Sequence, residues 1–94
     1  MADLQDFRRE IDAIDDQVVD LLARRTAAIR GVGAYKKRHG IPAYLPARVE
    51  AVLTRCAGRA AQRDLDPAFV RALYEAIVAE ACRIEDEIIH AEAA

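Results

Sequence analysis

The feature that most constrains this chain is an apolar stripe that runs through its first third. Ten positions follow one another at spacings of three and four residues, and all but one are apolar or aromatic: Leu4, Phe7, Ile11, Ile14, Val18, Leu21, Arg25, Ala28, Val32 and Tyr35. This heptad spacing predicts one continuous α-helix over about 3–38. Such a helix is about 50 Å long, whereas a compact globule of this size spans only about 30 Å.

The rest of the chain predicts two shorter helices and no strand. Helix-breaking residues cluster at two places, which puts the second helix at about 46–62 and the third at about 67–91. Asp66 is a good N-cap, and Pro67 fits the first position of the third helix. No stretch alternates apolar and polar residues with the β-branched enrichment of a strand. We therefore expect an all-α fold of three helices, one long and two shorter, in a single domain over residues 1–94.

The two shorter helices cannot cover so long a stripe, so the stripe needs a partner. A second copy of the chain meets this need, and we expect a homodimer built on paired long helices. A long arm docked on some other protein is the alternative.

Composition and charge exclude several classes of protein. The formal net charge is −2, without the basic excess of a dedicated nucleic-acid binder. No apolar run is long enough to span a membrane, and the amino terminus is acidic where a signal peptide would be basic. We expect a cytoplasmic protein that contacts neither nucleic acid nor membrane. Cys56 and Cys82 lack metal-ligand spacing, so we interpret them as free buried thiols, with a disulfide or metal site as the alternative.

Two cations on the long helix point to an anionic ligand. Arg25 occupies a stripe position that its neighbours fill with apolar residues, and a buried guanidinium needs an anionic partner. That partner is either a small anion or a carboxylate of the third helix, such as Glu80 or Glu85. Lys36 lies eleven residues beyond Arg25, almost on the same face and about 16 Å away, so both long side chains can converge on one small molecule.

Arg8 and Glu85 are further candidates for the same site. Arg8 lies about 25 Å from Arg25 along the helix, so it can reach such a ligand only from the partner chain of an antiparallel dimer. Otherwise it is a surface residue. Glu85 is the one ionisable residue in an apolar stripe of the third helix: Val70, Tyr74, Ile77, Ala81, Glu85 and Ile88. It is either an active-site acid or the ion-pair partner of an arginine.

Other chemical signals are weak. The Gly31-Val32-Gly33 run follows no strand and opens no helix, so close helix packing explains it better than nucleotide binding. The chain has no serine, which excludes serine hydrolase chemistry. No group of residues has the spacing of a metal site.

In its motifs the chain resembles the all-helical chorismate mutases over roughly residues 4–90. The resemblance rests on Arg8, the run from Ile14 to Arg25, Lys36, the Pro46-Ala47-Arg48 segment and the Leu65-Asp66-Pro67 start of the third helix. Each motif is weak singly, and their joint order and spacing are typical of the family. The resemblance implies an intertwined homodimer with two sites built from both chains. It also implies an isomerase that converts chorismate to prephenate in aromatic amino acid biosynthesis.

The resemblance also implies the roles of single residues. Carried over by position, Arg25, Lys36 and Arg48 come from one chain and Arg8 from the other, with no metal and no cofactor. The arginines are expected to hold the two substrate carboxylates, and Lys36 to face the ether oxygen of the enolpyruvyl arm. Glu85 falls where relatives carry a Gln or a Glu that hydrogen-bonds the same oxygen. The reaction is pericyclic, so it needs orientation and charge stabilisation rather than a nucleophile or a base.

Three positions depart from the familiar bacterial pattern. Leu45 and Val49 stand where many members have an Asp and a Glu that contact the ring hydroxyl of the substrate, and Ala81 stands where a Ser can assist a carboxylate. The related isochorismate pyruvate lyases carry Arg-Val at the positions of Arg48 and Val49. That lyase and 4-amino-4-deoxychorismate mutase are therefore the alternative enzymes. A helical dimerisation or interaction module is the non-enzymatic alternative.

Overall fold

The computed structural model describes residues 2–92 and contains three α-helices in that range. They are α1, Leu4–His39, α2, Pro46–Ala61, and α3, Pro67–His90. Residues 2–92 form no β-strand. The predicted all-α class and all three helices are confirmed, with each boundary within one residue of its expected place.

Capping residues at both ends explain where α1 begins and ends. The Asp3 carboxylate accepts a hydrogen bond from the Asp6 backbone N–H, and the Asp6 carboxylate accepts one from the Asp3 N–H. This reciprocal capping box satisfies amide groups that the first turn leaves open. At the other end Gly40 adopts a left-handed conformation with φ of 65°. The Lys36 carbonyl accepts from the Ile41 N–H at 2.9 Å there, which stops the helix.

Proline and aspartate start the two shorter helices. Pro46 and Pro67 lie in the first turns of α2 and α3, where the missing N–H costs nothing. The Asp66 carboxylate accepts from the Ala68 N–H at 2.9 Å, as its position in the sequence predicted. The tight turn before it contains Asp64 with φ of 58°, a conformation that Asp tolerates better than most residues.

The central helix of the layout is α3, because it packs against both other helices while α1 and α2 do not pack directly within residues 2–92. Gly33 of α1 lies against Ile88 and Glu85 of α3, and the Lys37 Nζ donates to the Ala91 carbonyl. The carboxyl-terminal ends of α1 and α3 therefore lie together, and these helices run parallel. Short connections join α2 to α1 and to α3, so α2 runs antiparallel to both of these helices. An open gap lies between α1 and α2.

Most of the buried side chains belong to α2 and α3. Their core consists of Val52, Leu53, Cys56, Ala60, Val70 and Val78. No large side chain in the described residues is fully buried. This core is small for a chain of 94 residues. Helices in proteins gain most of their stability from burial rather than from intrinsic propensity.

The predicted stripe on α1 is exposed in the single chain. Its large members range from 40% exposed at Val32 to 61% at Leu4. The described residues extend over 58 × 30 × 14 Å, with a Cα radius of gyration of 16.9 Å. A compact chain of this length has a radius of gyration of about 12 Å. The amino-terminal half of α1 therefore projects from the rest of the chain. Among the described residues, none of the three helices has the length and apolar character that a membrane span requires.

The two glycines inside α1 differ in their surroundings. A Cβ atom at Gly33 would lie 3.0 Å from Ile88 Cδ1 and 3.4 Å from the Glu85 Cα. A Cβ at Gly31 would meet no atom within 4 Å. The interpretation of close helix packing is therefore confirmed for Gly33, whereas no helix of the same chain packs on Gly31, whose side of α1 faces away from α3.

Replacing each glycine with glutamine tests this difference. Gly31→Gln puts a good helix former in open space and should raise the free energy of unfolding by up to about 1 kcal/mol. Gly33→Gln drives a side chain into Ile88 and should lower that free energy by about 1–3 kcal/mol. Urea denaturation at one fixed protein concentration measures both changes. Equal effects at the two positions would contradict close packing at Gly33.

Candidate functional site

The gap between α1 and α2 forms a pocket of about 280 Å³ whose floor is α3. Its lining comes from all three helices and from the 40–45 connection: Arg25, Ile29, Val32, Lys36, Ala43, Leu45, Arg48, Val49, Val52, Val78, Ala81, Cys82 and Glu85. Mostly apolar walls with a few charged groups are typical of small-molecule sites. The pocket size suits a ligand of about one ring.

The charged part of the lining consists of three cations and one carboxylate. Arg25 and Lys36 come from α1, Arg48 from α2, and Glu85 from α3. Four α1 side chains line the pocket: Arg25, Ile29, Val32 and Lys36. They are four, three and four residues apart, so they lie on one face of the helix. Converging cations in an apolar pocket favour a ligand with more than one negative group.

Lys36 and Glu85 form a buried ion pair across α1 and α3. Lys36 Nζ lies 2.6 Å from Glu85 Oε1, and the two side chains are 13% and 6% exposed. In the described residues this buried oxygen accepts no hydrogen bond from any other group, so the charge of Lys36 is what compensates it. Lys36 Nζ also donates to the Ala43 carbonyl at 2.9 Å. The ammonium group therefore holds α1, α3 and the 40–45 connection together.

Arg25 has no ion-pair partner in residues 2–92, where no Asp or Glu oxygen lies within 4.0 Å of its guanidinium. The alternative of a protein partner is therefore wrong for both named carboxylates. Glu85 pairs with Lys36, and Glu80 pairs with Arg83 on the exposed side of α3. The Arg83 guanidinium holds the pKa of Glu80 below its usual range through a hydrogen bond. Arg25 is half-buried at the pocket wall and keeps its charge available for a ligand.

Both cysteines are free thiols, as expected, although only Cys56 is buried and Cys82 is half-buried. Burial raises the pKa of the Cys82 thiol, and the Glu85 carboxylate raises it further, while Lys36 acts in the opposite direction. Cys82 therefore stays a neutral thiol in the pocket wall at neutral pH, which is a poor nucleophile.

The structure brings six of the seven candidate site residues to one pocket: Arg25, Lys36, Arg48, Val49, Ala81 and Glu85. Arg8 is not among them, because it lies exposed on the projecting half of α1. Sequence reasoning missed Ala43 and Cys82. A backbone carbonyl such as that of Ala43 leaves no signal in a sequence, whereas Cys82 was identifiable from its place beside Ala81 on α3.

Comparisons with known proteins identify relatives of this chain. Residues 7–86 match the family described as chorismate mutase type II. The 4-amino-4-deoxychorismate mutase of Streptomyces venezuelae is 40% identical over 90 residues, which cover 96% of this chain and 87% of the relative. The protein of the same name from Streptomyces pristinaespiralis is 38% identical over 86 residues, covering 92% and 67%. The isochorismate pyruvate lyase of Pseudomonas aeruginosa is 37% identical over 76 residues, covering 80% and 73%.

A double-mutant cycle tests whether Lys36 and Glu85 depend on each other. Lys36→Met leaves a buried carboxylate without its cation and should lower the free energy of unfolding by about 3 kcal/mol. The double variant Lys36→Met/Glu85→Gln should lose less than the sum of the single variants, with a coupling of at least about 1 kcal/mol.

The exposed pair of Arg83 and Glu80 is the matched control for this cycle. Arg83→Met and Glu80→Gln should show a coupling below about 0.5 kcal/mol, because solvent screens exposed ion pairs. Chemical denaturation at a fixed protein concentration gives both couplings. A Lys36–Glu85 coupling no larger than the control would show that the two groups act independently.

Proposed function

This chain belongs to the chorismate mutase type II family, and we propose that it catalyses the pericyclic rearrangement of a chorismate-type dicarboxylate. The observation that supports this most is the convergence of three cations on one apolar pocket. Two carboxylates on a small ring are the ligand groups that such a pocket complements. Cys82, the thiol in the pocket lining, stays neutral because burial and Glu85 raise its pKa, and the rearrangement uses no nucleophile.

The chemistry of the rearrangement matches what the pocket supplies. In one step the ether C–O bond breaks and a new C–C bond forms, with no proton or group entering or leaving. The enzyme accelerates this step by holding the extended substrate in its compact conformation and by stabilising negative charge on the ether oxygen. Arg25 and Arg48 are the proposed carboxylate partners, since a guanidinium can bind a carboxylate through two parallel hydrogen bonds.

Lys36 is the proposed hydrogen-bond donor to the ether oxygen. Its ammonium group has three hydrogens, of which one is used by the Ala43 carbonyl and one faces the Glu85 carboxylate. A third remains for a ligand. Glu85 in its charged form accepts and cannot donate, so its proposed role in the ligand-free site is to hold Lys36 in place. It becomes a second donor to the oxygen only if it is protonated when substrate binds.

We propose that the site is completed by a second copy of the chain. The pocket is open on the side of the gap, and the projecting half of α1 exposes its apolar stripe from Leu4 to Leu21. An antiparallel pairing of two α1 helices would cover the stripe and lay the amino-terminal half of one chain across the gap of the other. Arg8 of the partner subunit would then add a fourth cation beside Arg48.

The first candidate substrate is 4-amino-4-deoxychorismate. Leu45 and Val49 line the pocket. A carboxylate would be needed at these positions to accept a hydrogen bond from a ring hydroxyl of the substrate. The pocket therefore lacks the groups that would select chorismate by its hydroxyl. Relatives named 4-amino-4-deoxychorismate mutase match over 96% and 92% of this chain. Chorismate itself is the second candidate, favoured by the family as a whole.

A product assay on chorismate, isochorismate and 4-amino-4-deoxychorismate side by side tests the proposed function. We expect rearranged product from the amino substrate with the highest kcat/KM, slower rearrangement of chorismate, and no release of pyruvate from isochorismate. Arg25→Ala should lower kcat/KM by at least about 100-fold, the scale for losing one preorganised charge. Because a rearrangement leaves the mass unchanged, chromatographic separation with ultraviolet detection distinguishes each product from its substrate.

Two results of this assay would contradict the proposal. Pyruvate release from isochorismate as the fastest reaction would make the chain a lyase. No turnover of any substrate, together with no thermal stabilisation by a dicarboxylate transition-state analogue, would make it an interaction module.

A further inference from the structure

We propose that Asp12 and Asp15 of one chain form ion pairs with Arg55 and Arg59 of a second copy, and that these charges set the register of the dimer. The inference rests on the shared-site dimer proposed above. It adds an interaction surface outside the pocket and explains why the chain pairs with a second copy of itself.

The basic half of this surface lies on α2. Spacings of four, three and four residues join Arg48, Val52, Arg55 and Arg59, so their side chains share one stripe of the helix. Arg48 and Val52 line the substrate pocket. Arg55 and Arg59 line a second cavity, of about 220 Å³, further along the same helix. The basic stripe therefore continues the groove beyond the pocket.

The two arginines have no carboxylate partner in their own chain. Within residues 2–92, no Asp or Glu oxygen lies within 4.0 Å of Arg55 or Arg59. They are one helical turn apart, where like charges repel. The cavity beside them has an apolar floor that includes Cys56 and Ala60. An acidic helix with apolar neighbours would complement both features.

The acidic half of this surface lies on the projecting part of α1. Arg8, Asp12, Asp15 and Val19 follow the same spacings of four, three and four residues, so they too share one stripe. All four are exposed. Asp12 and Asp15 have no Lys or Arg nitrogen within 4.0 Å in the part of the chain that the structure describes.

Helix directions bring the two stripes together. Within one chain α2 runs antiparallel to α1, so in an antiparallel pairing of the long helices the partner's α1 runs parallel to α2. We place Arg8 of the partner subunit beside Arg48. From these two positions the next seven residues span about 10 Å along each helix, in the same direction. Asp12 of the partner subunit then lies between Arg48 and Arg55, and its Asp15 lies level with Arg55. In this register Arg55 lies beside both carboxylates, and Arg59 lies one turn beyond Asp15 of the partner subunit, within reach of its long side chain.

Charge reversal on each half gives two chains that should bind each other and not themselves. One chain carries Asp12→Lys and Asp15→Lys, and the other carries Arg55→Glu and Arg59→Glu. Each variant alone places like charges at both contacts of its homodimer, and we expect its dimer dissociation constant to rise by at least about 100-fold. In the mixed dimer both contacts are again attractive. An equimolar mixture should therefore form heterodimers within about tenfold of the wild-type affinity.

Sedimentation velocity over a concentration series measures the affinities, and native mass spectrometry identifies the heterodimer. Asp86→Lys/Glu87→Lys on the exposed surface of α3 changes the net charge as Asp12→Lys/Asp15→Lys does, and it should leave dimerisation unchanged. Variants that dimerise alone as tightly as the wild type would overturn the ion pairs while leaving the shared-site dimer intact. So would a mixture with no gain over its components. A wild-type chain that stays monomeric at every concentration would overturn the dimer and the ion pairs together.

Discussion

The ion pair between Lys36 and Glu85 is the contact on which the proposed site depends. It crosses from α1 to α3 with a separation of 2.6 Å, and the Ala43 carbonyl extends it to the connection that starts α2. The absence of a Cβ at Gly33 allows the two helices to come this close, since Glu85 packs directly against that glycine. One buried cation thus fixes the three walls of the pocket relative to one another. A buried pair is costly in water-free surroundings, and its position at the pocket points to function more than to stability.

The same structure shows why one chain is incomplete. Its core lies between α2 and α3, while the projecting half of α1 exposes large apolar residues along its whole length. Exposed apolar area of this extent marks an interaction surface. The open gap, the uncovered stripe and the unpaired charges of α1 and α2 are three separate features, and the proposed antiparallel dimer satisfies all of them with one arrangement.

Periodicity and capping residues predicted the helices because these signals are local. The heptad spacing defined α1, and Asp66 with Pro67 marked the start of α3. The same periodicity placed Arg25 and Lys36 on one face, and the structure has both at the pocket. The partner of Glu85 was not predictable in this way. The ion-pair alternative for Glu85 named an arginine, and Lys36 is found instead, because the choice depends on how α3 packs against α1 and not on spacing within either helix. The Ala43 carbonyl was missed for a similar reason, since every residue has one.

The central claim, a site completed by Arg8 of the partner subunit, is tested most directly by mixing two inactive variants. Arg8→Ala lacks the cation donated across the dimer, and Lys36→Ala lacks the donor inside the pocket. After subunit exchange, half of the dimers are heterodimers, and each of these has one site with both residues intact. The activity per chain should then recover to about one quarter of the wild-type value. Full activity of Arg8→Ala by itself, or no recovery after exchange verified by native mass spectrometry, would contradict a site shared between chains.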